Sequence, residues 1–308
     1  MDRKISIADL QKAVDEAYEK YKDLTEGNVD SRSGEVAVED FGISITLTDG
    51  RKIEKGQVNV PSPMGSIYKV PVLRLFLSQN NPDEIHAKMG GCKCGAGKSN
   101  KPKIAVSPKG ARLVSTIEPQ NDEDGKMDII TSAMVDMVGS EPVFDDTLYR
   151  SLKDELDEEQ AVNLLAQADW TMYDDSEQSL DATAKLTSMR FTASQLSAMG
   201  ATIAADGYNP VTKGNAFDGE LSKRLTAFMA AKGPHKMAKP WLMCTGLPAV
   251  SSFGGTIMGT LPGVFGIATY SPLVGCHGVS KRGAKAISYI MNKLDLSALS
   301  SSRVEIVD

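Results

Sequence analysis

The chain has 308 residues, 34 of them basic and 40 acidic, giving a net charge of −6, with 41% hydrophobic and 24% charged side chains. That apolar content and charge balance exclude a disordered chain, and no face-sized run of Lys or Arg offers a footprint to nucleic acid. No apolar stretch reaches the roughly 18 residues that span a bilayer, and no apolar segment of the secretory kind follows Met1-Asp2-Arg3-Lys4, so a cytoplasmic protein without membrane or nucleic-acid partners is expected.

The first element predicted is an amphipathic helix. Ile7, Leu10, Val14, Ala17 and Tyr21 recur at three- and four-residue spacing, and Ser6 with Asp9 resembles a capping box. Residues 41–48 alternate apolar and small polar side chains, the pattern of a strand, and Asp49-Gly50 supplies a tight hairpin turn. Residues 66–77 read as a buried helix with Pro71 about one turn in, where its missing N–H costs least. The stretch 79–126 is rich in Gly, Lys, Pro and Asn, and its segment 90–98 reads as a loop.

From 127 to 207 the pattern is helical and partly acidic, with the run 152–159 reading as a solvated helix face. Strands return at 256–260 and 264–270 around a Leu261-Pro262-Gly263 turn. A last helix carries Val279, Ala286, Ile287, Ile290, Met291 and Leu294 on one side. Elements from both ends of the chain are therefore expected in one sheet. Residues 1–79 and 210–308 would form an α/β subdomain and 80–209 a helical subdomain, within a single domain. Cys92, Cys94, Cys244 and Cys276 lack paired zinc-site spacing and read as reduced thiols. No metal and no organic cofactor is expected.

The motif with chemical content is Ser66-Ile67-Tyr68-Lys69. On a helix start, residues three apart share a face, so the amine can reach the hydroxyl. A lysine kept partly neutral by burial can take the serine proton. The same four residues could also be a helix cap with a solvated lysine.

The wider pattern resembles the serine-dependent glutaminase family, relatives of the penicillin-binding proteins and class A β-lactamases. Asp49-Gly50, Gly56, Ser66 and Lys69 follow its approach to the nucleophile. The segment 246–257, Gly-Leu-Pro-Ala-Val-Ser-Ser-Phe-Gly-Gly-Thr-Ile, is similar to its G-L-P-A-K-S-G-V-x-G-G-I. Pro262-Gly263, Tyr270-Ser271-Pro272-Leu273 and the run 278–283 follow in the family's order, as do Glu118-Pro119, 201–204 and 209–212.

The resemblance implies a β-lactamase-like α/β fold, an antiparallel sheet flanked by the terminal helices, with a helical subdomain. It implies hydrolysis of a side-chain carboxamide, of L-glutamine to L-glutamate and ammonia or of a related amide, through a Ser-Lys acyl-enzyme. Ser66 would be the nucleophile and Lys69 its base, with the backbone N–H groups of Ser66 and Phe253 as oxyanion donors. His235 stands where the family has an active-site tyrosine, 14 residues before Ala249, and could relay a proton. Tyr68 is the next candidate for that role. Thr131, Glu159 and Thr183 fall near substrate-binding positions, with Leu152 beside them, and Ser251 follows Val250, which replaces the lysine of K-S-G. Since these residues differ from the family's, L-glutamine itself is expected to be a poor substrate. The expected form is a homo-oligomer acting on a small-molecule amide. A catalytically altered or inactive binding protein on the same scaffold is the other reading.

Overall fold

The computed structural model describes residues 3–81, 83–85, 105–167, 172–275 and 277–308. Cys92, Cys94 and Cys276, and the loop expected over 90–98, lie outside the described residues.

Five antiparallel strands form the central sheet. Gly42–Leu47 lies between Lys52–Gly56 and Phe265–Tyr270, and beyond the latter come Thr256–Leu261 and Ala249–Ser251. Both predicted hairpins are present. Gly50 closes the first at φ +93°, a conformation that suits glycine, and Leu261 faces Phe265 across the second. Strands from the two ends of the chain thus share one sheet.

One face carries the helices Ile7–Tyr21 and Lys281–Lys293. Ser6 caps the first, its Oγ accepting the Asp9 N–H at 3.0 Å. Leu10, Val14 and Ala17 pack with Ile43, Ile45, Ile267, Ile287 and Ile290 in one apolar core. Each such side chain removed from water contributes about 1.5–3 kcal/mol.

The alternation over residues 41–48 predicts a strand, and Gly42–Leu47 is one. All six residues are buried. The helix Ala193–Ala204 lies against the other face, where Ser197 Oγ sits 2.9 Å from Ser44 Oγ and 2.7 Å from Thr46 Oγ1. Glycines permit this approach. A Cβ on Gly266 would lie 2.1 Å from the Ala201 backbone nitrogen, and one on Gly200 would lie 2.6 Å from Gly259 O. The hydroxyls of the strand are core groups satisfied by a helix, not a solvated stripe.

Behind that helix, Lys69–Gln79, Glu123–Val138, Ser176–Ser188 and Glu220–Lys232 enclose a second core through Val72, Phe76, Ile130, Met134, Leu186 and Leu225. The acidic run 152–159 is split between two helices, Asp146–Asp154 and Glu158–Gln167. Leu152 and Leu156 turn inward while Asp157, Glu158 and Glu159 are exposed. Deep in this layer Lys126 Nζ meets Asp174 Oδ2 at 2.5 Å, both side chains almost fully buried. Among the described residues no helix is long and apolar enough to cross a membrane.

Candidate active site

The strand Ser62–Pro63 runs into one tight helical turn, Gly65–Tyr68, and then into the helix Lys69–Gln79. Gly65 has φ +49°, and a Cβ there would sit 2.6 Å from Ser252 Oγ and 3.1 Å from the Phe253 ring. No other residue meets both demands. Ser252 Oγ donates to Pro63 O and accepts the Gly254 N–H at 3.0 Å. The bend after strand Ala249–Ser251 is thereby fastened to the turn that presents Ser66. Among the described residues, neither the Ser66 N–H nor the Phe253 N–H has a hydrogen-bond acceptor. Two backbone donors on adjoining bends are what a developing oxyanion needs.

Ser66 and Lys69 line one cavity of about 190 Å³ with Phe228, His235, Val250 and Ser251. Lys69 Nζ hydrogen-bonds to Ser107 Oγ at 3.2 Å rather than to Ser66. Ser107 is the N-cap of helix Pro108–Ser115, and its Oγ also accepts the Gly110 N–H at 3.2 Å. Desolvation, followed by the like charges of Lys232 and Lys109, lowers the Lys69 amine to about 8. About one lysine in ten is then neutral at pH 7, far more than for a solvated one. Ser251 Oγ is buried at the cavity wall with no hydrogen-bond partner.

His235 opens the short turn His235–Met237 after helix Glu220–Lys232, at φ +51°. It is among the residues lining the cavity, although exposed as a residue. Desolvation of the ring, then the charges of Lys69, Arg32 and His277, push its pKa below the ordinary 6.5. Imidazole there is neutral at pH 7 and can accept a proton. Tyr68, by contrast, is buried with no partner on its hydroxyl, and burial pushes its pKa well up. A Cβ on Gly110 would lie 1.8 Å from that hydroxyl. Tyr68 lines neither cavity at the site.

The remaining residues proposed from sequence are dispersed. The Phe253 ring lies under the Arg32 guanidinium at 4.0 Å, and Arg32 is held by both oxygens of Asp30 at 2.8 and 2.9 Å. Thr183 is buried and its Oγ1 donates to Ser179 O in its own helix at 2.7 Å. Thr131 is half-buried on Glu123–Val138, and Glu159 is exposed in the first turn of Glu158–Gln167. None of these three lines the cavity that holds Ser66. Ser107, Lys109 and Lys232 are present at the site although the sequence reading passed over them. Ser107-Pro108 carries the one usable signal, an N-cap followed by proline in the first turn.

A second cavity of about 370 Å³ shares Lys69, Phe228 and Lys232 with the first and continues to Ser107, Lys109 and Leu73. Among the described residues no three His, Cys, Asp or Glu side chains cluster as a metal site requires.

A family model described as Glutaminase matches residues 34–299. The chain is 35% identical to a glutaminase of Parabacteroides distasonis and 34% identical to one of Bacteroides thetaiotaomicron, in each case across 100% of both proteins. Among solved structures, the probable glutaminase ybaS superposes with a TM-score of 0.83 at 24% identity, covering 96% of this chain and 100% of that one. The Bacillus subtilis glutaminase YbgJ, in covalent complex with 5-oxo-L-norleucine, superposes with a TM-score of 0.78 at 20% identity, over 94% of this chain and 98% of that one. The fold is the one shared by these glutaminase structures.

Proposed function

This chain belongs to the glutaminase family, and from that membership we propose that it hydrolyses a side-chain carboxamide to the acid and ammonia through an acyl-enzyme on Ser66. The observation that carries the reading is the meeting, on one cavity, of Ser66 and a lysine with its amine lowered to about 8, with the acceptor-free N–H of Phe253 on the bend fastened to the turn that presents Ser66.

Ser66 Oγ attacks the amide carbon while its proton passes to neutral Lys69 Nζ. The carbonyl oxygen becomes an oxyanion, received by the N–H groups of Ser66 and Phe253. Collapse breaks the C–N bond, and the leaving nitrogen takes the proton held by Lys69, directly or across the Ser107 hydroxyl that Lys69 contacts. Ammonia departs and leaves an ester on Ser66. Water then attacks the ester carbon, giving up a proton to neutral His235 or Lys69. The second collapse returns that proton to Ser66 Oγ and releases the carboxylic acid.

The test is ammonia release over L-glutamine, L-asparagine and related amides, with Ser66→Ala as the control. Treatment with 6-diazo-5-oxo-L-norleucine followed by intact-mass measurement asks the same of the nucleophile alone. A 5-oxo-norleucine adduct on the native chain and none on Ser66→Ala supports the assignment. An adduct that persists in Ser66→Ala overturns it.

A further inference from the structure

We propose that Arg32 is a positioning residue for the oxyanion bend: paired with Asp30 and laid across the Phe253 ring, it fixes the backbone that carries the Phe253 N–H. The proposal rests on the hydrolytic reading above, in which that N–H receives the oxyanion.

Phe253 stands on a bend between the strands Ala249–Ser251 and Thr256–Leu261. The bend is closed at its ends, by the Ser252 N–H on Thr256 O at 2.8 Å and the Gly255 N–H on Ser252 O at 3.2 Å. No ladder hydrogen bond aims the Phe253 N–H. Turning that peptide plane swings the bond to Cβ with it, so a ring that cannot move holds the N–H in one direction.

The ring is held from two sides. A Cβ on Gly65 would lie 3.1 and 3.2 Å from two of its carbons, so the ring rests against the turn that presents Ser66. The Arg32 guanidinium lies 4.0 Å from its centroid, within the range of a stacked cation. Phe253 also belongs to the apolar cluster of Ala111, Leu148, Leu152 and Leu180, which roots it in the helical layer.

Arg32 is itself fixed. Its side chain donates to both oxygens of Asp30 at 2.8 and 2.9 Å, and Asp30 Oδ1 accepts the Arg32 N–H at 3.1 Å. A fork held at two points keeps the plane of the guanidinium flat on the ring, which a lysine ammonium could not do. The next residue ties the same segment to the other side of the site. Ser33 O accepts from Arg190 at 3.2 Å, and Arg190 also donates to Pro61 O at 3.3 Å and to Asp145 Oδ2 at 2.6 Å. Pro61 leads into the strand before Ser66. The segment 30–33 thus braces the Phe253 bend through Arg32 and the approach to Ser66 through Ser33. Arg32 is also close enough to His235 for its charge to disfavour the imidazolium. Both members of the Asp30–Arg32 pair are half-buried, and such pairs add little to stability, so its loss should be read in the rate.

Two measurements decide this. The first is steady-state hydrolysis of L-glutamine. Loss of a whole oxyanion donor costs about 10²–10³ in kcat, so a misaimed one should cost about tenfold or more. Arg32→Gln should lower kcat by that amount with KM changed less than about threefold, and Arg32→Lys, which keeps a cation at the ring, should fall between the two. In a Phe253→Leu background, where the ring is gone and the N–H remains, Arg32→Gln should change kcat less than about twofold. An equal loss in both backgrounds, or unchanged kcat in Arg32→Gln, overturns the proposal and leaves the hydrolytic reading standing.

The second needs no turnover. In NMR on protein labelled at phenylalanine nitrogen, the Phe253 amide is the resonance missing from Phe253→Leu. Arg32→Gln and Asp30→Asn should broaden it or split it into several, with the other phenylalanine amides left sharp. A single sharp Phe253 resonance in both variants overturns the proposal. A resonance that broadens in a chain that hydrolyses no amide would support the brace and overturn the hydrolytic reading.

Discussion

As the proposed base, Lys69 would owe its strength to its surroundings, and its titration should be readable in the rate. Desolvation and two neighbouring cations favour the neutral form, so kcat/KM should rise about tenfold per pH unit up to about 8 and then level off. Lys232→Gln removes one of those cations and should move the bend to higher pH. Lys69→Ala should cost several orders of magnitude in kcat and abolish the bend. In the proposed mechanism His235 should add a second limb on the acid side. Its pKa lies below 6.5, so protonation should steepen the loss of rate only under that value, and His235→Phe should remove the steep limb and leave a slower enzyme. A pH–rate profile of each variant checks both statements. That Ser66 and Lys69 line one cavity was legible from sequence because they stand three residues apart at a helix start. Ser107 meets Lys69 across 38 residues of chain, and Lys232 approaches from a helix still further away. No spacing rule reports contacts that only the fold creates. The same holds for Thr131, Glu159 and Thr183, whose proposed roles rested on matching positions through helices that diverge in sequence.

Two contacts between elements depend on glycine and can be tested by a single methyl group. At Gly110 the added carbon would meet the Tyr68 hydroxyl, a group with no other place in a closed core. Gly110→Ala should cost about 1–3 kcal/mol in stability and, by displacing Ser107 from Lys69, lower kcat more than KM rises. Urea unfolding with steady-state kinetics separates the two effects. At Gly266 the methyl would strike backbone atoms of the helix Ala193–Ala204, which cannot swing aside, so Gly266→Ala should be the more destabilising of the two. This helix also makes contacts that sequence patterning does not report. Alternation over residues 41–48 predicts a strand, and the strand is there. Ser44 and Thr46 bond to Ser197, a partner that periodicity does not register. The hairpins were readable for the opposite reason, since Asp49-Gly50 and Pro262-Gly263 encode their turns locally.

Over the whole molecule, two cores lie on opposite faces of one sheet, and the helical layer is tied internally by the Lys126–Asp174 pair. With both groups almost fully buried at 2.5 Å, Asp174→Ala would strand an ammonium and should cost about 3–5 kcal/mol, measured by denaturant unfolding. Replacing both partners with apolar residues of similar volume should recover much of that loss. At this scale the α/β arrangement was legible, because apolar periodicity survives in the terminal helices and strands. The course of the middle segment was less so, as short amphipathic helices there pack against one another in ways that a one-dimensional pattern leaves open. The electropositive cleft has a final consequence, for release. Hydrolysis turns a neutral carboxamide into a carboxylate, so the product leaves Ser66 more negative than the substrate that arrived, amid Lys69, Lys109 and Lys232. The enzyme should therefore retain its acid and slow as the acid accumulates. Added salt, which shortens electrostatic reach to a few ångströms near 1 M, should relieve that inhibition, so progress curves that bend early at low ionic strength should straighten as sodium chloride is raised.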